Sequence, residues 1–238
     1  LDKGLGESVA INVNTPAGGT DISVSLEALQ GELPACGSVS LVVSWFGDDL
    51  RCGQCEVRPK VEESAAEGDR MVWRAGGAGR AEAPEVARLA GRPVYGGTPA
   101  DGAVIEAIKA IRAAGREVMF YPFILMDQLA GNGLADPWSG ASDQPALPWR
   151  GRITSSVAAG RPGSPDGTAA AAGEVAAFFG HAAPSDFQVT GTAVGYTGPE
   201  EWSYRRFILH YAHLCVAAGG VDSFCIGSEM RGLTQIRS

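Results

Sequence analysis

Two hydrophobic periods alternate along this chain, and their order defines three helix-then-strand units. The first helix is Ser25–Leu33, with Ser25 as cap and apolar residues at 26, 29 and 33. It leads into Ser38–Trp45, whose β-branched run suits a strand covered on both faces. In the second unit Asp101 caps a helix with Val104, Ile105, Ile108 and Ile111 on one stripe and Gly115 as its stop. Glu117–Met126 then reads as a buried strand ending at Asp127. Pro122 lacks a ladder donor, so this strand is expected to bulge or end its regular pairing near there. The third helix opens at Pro199-Glu-Glu-Trp202 and runs to about Ala218, with Tyr204, Phe207, Ile208, Tyr211, Cys215 and Ala218 on one face. Gly219-Gly220 ends it, and Val221–Glu229 reads as a further buried strand.

Helix followed by strand three times predicts parallel strands joined by right-handed crossovers. The strand ends near Trp45, Asp127 and Glu229 are too far apart for a minimal barrel, which spends about 30 residues per unit. The excess falls in two insertions, 52–98 and 128–198. The first is expected to hold a small hairpin around Val57–Val61 and Met71–Arg74, the second a short helix over Ala169–Phe179. No internal repeat is visible. The expected class is α/β, a partial (β/α)8 TIM-barrel-like domain with long loops after its strands.

In such a barrel the C-terminal ends of the strands carry the chemistry. Glu229 sits at such an end, and the residues alternating with it, Gly227, Cys225 and Ser223, are small enough to leave room for a ligand. It is the candidate general acid/base. The plainer alternative is a capping or ion-pairing glutamate, with Arg231 as partner. Trp45, Asp48, Asp49 and Arg51 lie at or past the first strand; Tyr121, Phe123 and Asp127 lie along or past the second. Trp149, Arg150 and Trp202 belong to the long insertion or its end. Rings beside carboxylates and arginines suit sugars, which stack an apolar face and hydrogen-bond through hydroxyls. Each residue alone is also explained by loop packing or salt bridges.

Composition narrows the field. The chain has 238 residues, 45% hydrophobic and 19% charged, enough for a core and too little charge for a disordered tail. A net charge of -8 without a basic face argues against nucleic-acid binding. No apolar run approaches the ~20 residues of a membrane span, and no signal peptide is visible. The opening Leu1 in place of an initiator methionine suggests a processed or excised piece. Cys52-Gly-Gln-Cys55 has metal or redox spacing but no second CxxC, so a local disulfide or two loop thiols is expected. His210 and His213 lie opposite the apolar stripe and are expected to face solvent. Signatures for acyl transfer, nucleotide hydrolysis and dinucleotide binding are absent. No cofactor is expected.

Six blocks occur together and in order: Ser40–Arg51, Val94–Pro99, Phe120–Met126, Pro148–Thr154, Trp202–His210 and Ile226–Thr234. With them the chain resembles the glycoside-hydrolase TIM-barrel-like domain of the tail-tip (host specificity, baseplate hub) protein of gene transfer agents and related phages. The resemblance implies a virion component at the distal end of a phage-like tail, assembled in the bacterial cytoplasm and acting at the host envelope. Its implied partners are other tail-tip proteins, the rest of its own polypeptide, copies of itself in a trimer, and envelope polysaccharide. The implied barrel is that of a retaining glycosidase with the acid/base after the fourth strand, where Glu229 stands. Its nucleophile follows the seventh strand, beyond this chain, and the implied barrel begins before Leu1.

Retaining hydrolysis needs two carboxyl groups about 5 Å apart. A half barrel leaves sheet edges and an open core. Residues 1–238 on their own are therefore expected to be inactive and poorly soluble. Sedimentation and thermal melting check this; a monomeric, cooperatively melting preparation contradicts it.

Overall fold

The computed structural model describes residues 13–66 and 71–237, so the stretch 67–70 of the first insertion lies outside the described residues. Helix α1 (Asp21–Glu32) precedes strand β1 (Ser38–Gly47), followed by the short strands β2 (Val57–Arg58), β3 (Arg74–Ala75), β4 (Ala78–Gly79), β5 (Arg88–Leu89) and β6 (Arg92–Pro93). Helix α2 (Asp101–Ala113) and strand β7 (Glu117–Met126) come next, then helix α3 (Ala169–Phe179) and strands β8 (Phe187–Thr190) and β9 (Ala193–Tyr196). Helix α4 (Tyr204–Ala217), strand β10 (Ser223–Phe224) and helix α5 (Arg231–Thr234) close the order. The fold is mixed α/β, built on a curled half-barrel sheet of order β10-β7-β1-β2.

The sheet is held by β1 and β7, which pair in parallel from Ser38↔Glu117 to Gly47↔Met126. One face of this ladder carries Val43, Trp45, Val118, Phe120, Ile124 and Met126, all buried. Against it lie Val104, Ile105, Ile108 and Ile111 of α2 and Phe207, Tyr211, Leu214 and Cys215 of α4. The 3.6-residue stripe read from the α2 sequence is therefore its buried face. Each of these isoleucines contributes about 2 kcal/mol by leaving water. The opposite face is open rather than covered: Val42, paired with Tyr121, is 51% exposed. In a closed barrel that face is the interior.

Pro122 behaves as its chemistry requires. Phe120 O accepts from Cys225 N and Val118 O from Asp222 N, so even-numbered residues of β7 present their backbone to β10. The next rung would run from an N–H at 122 to the Cys225 carbonyl, and proline has no N–H. The pairing with β10 stops at Phe120↔Phe224, while the ladder to β1, on the other edge, runs through Val43↔Pro122 unbroken. The strand expected over Val221–Glu229 is thus two residues long.

Other boundaries also move. α1 starts at a Thr20 cap rather than Ser25. α4 starts at a Ser203 cap whose Oγ accepts from Arg206 N at 3.2 Å, so Pro199–Trp202 precedes the helix. Asp101 is the first residue of α2, not its cap; its carboxylate instead meets His210 Nε2 at 3.0 Å. His210 is fully buried, which corrects its expected solvent-facing position. α4 is covered on an extra side by Gly76, whose amide lies 3.4 Å from His210 Nε2, and that widens its buried face beyond one stripe. His213 stacks on Phe187 at 5.0 Å. The expected hairpin of Val57–Val61 with Met71–Arg74 is not formed: β2 pairs with β1, and β3 pairs with β4 across Gly76-Gly77. The short helix over Ala169–Phe179 is present as expected.

Cys52 and Cys55 are two buried free thiols, not a disulfide. Burial pushes the Cys52 thiol up to about 12, with the nearby Glu174 carboxylate adding to it. Burial raises Cys55 as well, and takes Cys215 to about 12. Thiols held this way are poor nucleophiles at neutral pH. At pH 8 a disulfide-exchange reagent is expected to label only the half-buried Cys36 and Cys225 in the native protein, and the other three after denaturation. Fast native labelling of three or more thiols contradicts this.

Candidate functional site

Released from β7, residues 226–229 are held by side chains instead of a ladder. Tyr204 Oη donates to Ile226 O at 2.5 Å, and a Cβ at Gly227 would lie 2.6 Å from the same hydroxyl, so a larger residue there would displace it. Burial lifts the Tyr204 phenol to about 12, so it stays a donor at neutral pH. Arg150 Nε donates to Ser228 O at 3.3 Å and Nη2 to Ser228 Oγ at 3.0 Å. The Tyr121 and Ser228 hydroxyls also form a short hydrogen bond. Sequence alternation put Ser228 on the face of Phe224, which stacks on Phe120. Its contact with Tyr121 puts it on the open face, because the alternation lapses where pairing ends.

Glu229 follows in a left-handed backbone conformation, φ +54°. Its Oε2 accepts from Trp149 Nε1 at 2.8 Å and pairs with Arg150 Nη2 at 3.0 Å. Among the described residues no donor reaches Oε1. The Glu229 side chain is 56% exposed and Trp149 is 45% exposed, whereas Arg150 is 5% exposed and lies 3.6 Å over the Phe123 ring. The ion pair is with Arg150, not Arg231. No second carboxylate among the described residues hydrogen-bonds or pairs within this cluster.

Two glycines permit the approach. At Gly151 a Cβ would fall 2.4 Å from the Trp149 indole, so glycine lets that ring fold back over the turn Arg150–Arg152. At Gly232, in α5, a Cβ would fall 2.3 Å from Ile153 O and 3.1 Å from Gly151 O. The same segment is tied to the end of β1: Thr154 N donates to Leu50 O at 2.8 Å and Cys52 N to Thr154 O at 2.6 Å. Pro148–Thr154 and Ile226–Thr234, separate blocks in the sequence, thus form one joint.

The remaining candidates lie elsewhere. Asp48 accepts from Glu56 N at 2.8 Å; burial raises its carboxyl, against that hydrogen bond. Asp49 is buried and holds Arg51 through its backbone N, Nε and Nη2 (2.7, 3.0 and 2.6 Å) and Gln144 Nε2 at 2.7 Å. These hydrogen bonds raise the Arg51 guanidinium. Asp127 is buried with both oxygens on Lys60 Nζ (2.8 and 3.0 Å), and one on Ala87 N at 2.9 Å. All three carboxylates brace loops. Trp45 is fully buried, edge-on to Trp202 at 5.8 Å, and Trp202 lies between Arg206 and Arg58. Phe123, also expected beside the second strand, lies under Arg150. Ser228 and Tyr204 join Tyr121, Trp149, Arg150 and Glu229; Ser228 was hidden by the failed alternation, and Tyr204 read as one more apolar-stripe residue.

The site is a carboxylate just past a parallel strand, at the rim of a curled α/β sheet. Residues 202–238 match the family described as the GTA TIM-barrel-like domain. That segment contains Trp202, α4, β10, Glu229 and α5. The match supports a TIM-barrel-like domain associated with gene transfer agents. No curated protein matches the chain.

The packing at Gly232 gives a direct check. Gly232→Ala meets backbone atoms and is expected to lose about 1–3 kcal/mol in urea unfolding. Gly173→Ala in α3 meets nothing within 4 Å and is expected to gain up to about 1 kcal/mol. Equal effects contradict the joint.

Proposed function

We propose that this chain is part of a glycosidase-like barrel in the tail-tip hub of a phage-like gene transfer particle. In this reading it binds or hydrolyses host envelope polysaccharide, with Glu229 as acid/base of a retaining, two-carboxylate mechanism whose nucleophile lies outside these residues. The observation that carries it is the Glu229 carboxylate, one oxygen unengaged among the described residues, beside a half-exposed Trp149 indole. A ring face and a carboxylate side by side fit a sugar. The partners in this reading are other tail-tip proteins and further copies of the chain, arranged as a trimer.

A second reading is adhesive: the barrel grips glycan without turnover. It is favoured by the Arg150 ion pair on Glu229.

Glycan release from purified cell wall or capsule, measured with the full-length protein and Glu229→Gln, separates the two. The first reading expects release falling by at least about 100-fold in the variant, the scale of a lost general acid/base. Release unaffected by the change sinks the acid/base assignment. Saturable binding by both proteins with no release by either supports the adhesive reading.

A further inference from the structure

Arg150 was expected among ligand-contacting residues, yet it is 5% exposed and covered on one face by Phe123 at 3.6 Å. Its donors are turned inward. Nε donates to Ser228 O at 3.3 Å, and Nη2 reaches Ser228 Oγ at 3.0 Å, Tyr121 Oη at 3.5 Å and Glu229 Oε2 at 3.0 Å. One planar guanidinium thus holds the main chain before Glu229 and the Glu229 carboxylate together.

We propose that Arg150 is the positioning residue of this site: it holds Glu229 in its left-handed conformation and, with Trp149, occupies Oε2, so that Oε1 alone faces a ligand. This rests on reading Glu229 as the working carboxylate. A glutamate at φ +54° is strained against extended backbone, and it persists where neighbours over-determine it. Arg150 on Ser228, together with the packing of α5 at Gly232, supplies that determination. Oε2 accepts the Trp149 hydrogen bond and sits against the Arg150 cation, and both disfavour a proton there. When the carboxyl is neutral its proton therefore sits on Oε1, the oxygen open to a glycosidic oxygen or a hydroxyl. Lysine does not replace this arrangement, because a single ammonium lacks the planar fork that spans Ser228 and Glu229.

The Trp149 indole is a built-in reporter. With 5-fluorotryptophan in the full-length protein, residues 1–238 contribute five tryptophan signals, and the Trp149 ¹⁹F signal is identified by its loss in Trp149→Phe. In the wild type that signal is expected to move with pH, and to stay fixed in Glu229→Gln. In Arg150→Gln and Arg150→Lys it is expected to lose its pH dependence while the core signals of Trp45 and Trp202 hold. A wild-type titration of Trp149 in Arg150→Gln overturns the proposal. If Arg150→Gln loses the core signals, Ser228→Ala and Tyr121→Phe decide: reduced titration at Trp149 supports positioning, and unchanged titration in both overturns it. The readout needs no hydrolysis. Absent glycan release with an intact Trp149 titration counts against the glycosidase reading alone.

Discussion

The missing N–H of Pro122 is the constraint on which the site depends. β7 has two edges, and the proline nitrogen faces only the β10 edge. The ladder to β1 keeps its full length and carries the core, while β10 is cut after Phe224. Continued regular pairing would have kept Ser228 and Phe224 on one face of the sheet. Cut short, the segment is free to bring Ser228 to Tyr121 and Glu229 to Trp149 and Arg150. One residue thus separates the regularly paired part of the sheet from the part that carries the candidate site.

What replaces the ladder is polar and aromatic rather than aliphatic. Arg150 is buried against Phe123; on the other side of the sheet Arg206 lies 3.9 Å from Tyr196 and 3.7 Å from Trp202. Burial lowers the Arg206 guanidinium to about 10; Nη1 donates to Glu201 O at 2.6 Å and Nη2 to Gly76 O at 2.7 Å, while the buried Nε has no partner among the described residues. Buried arginines are tolerable where a ring face and oriented carbonyls substitute for water, and each such cation–π contact contributes about 2 kcal/mol once desolvated. They fasten loops whose glycines and prolines offer little apolar area. Asp49 on Arg51 and Asp127 on Lys60 do the same at the ends of β1 and β7.

The parallel scaffold was legible because its signals are long. β7 begins and ends where the apolar run predicted, and the α2 stripe is its buried face. Short or composite features were not. The β3–β4 hairpin has two residues per strand, leaving Gly76-Gly77 as its only signal. His210 was misplaced because α4 is covered by Gly76 and Asp101 as well as by the sheet, which a single stripe does not anticipate. At the candidate site, residue types were readable and their grouping was not. Glu229, Trp149 and Arg150 stand out by chemistry and strand-end position, but Ser228 depends on where pairing stops, and Asp48, Asp49, Asp127 and Trp45 share the same sequence signs while bracing loops or filling the core.

Amide hydrogen exchange across residues 221–229, compared between the wild type and Pro122→Ala, tests most directly whether Pro122 sets the end of the strand. The wild type should show protection at Cys225, bonded to Phe120 O, and rapid exchange from Ile226 to Glu229. Restoring an N–H at 122 should lengthen the ladder and extend protection to Gly227, the next amide in register. Continuous protection to Glu229 in the wild type, or identical profiles in the two proteins, would contradict the account.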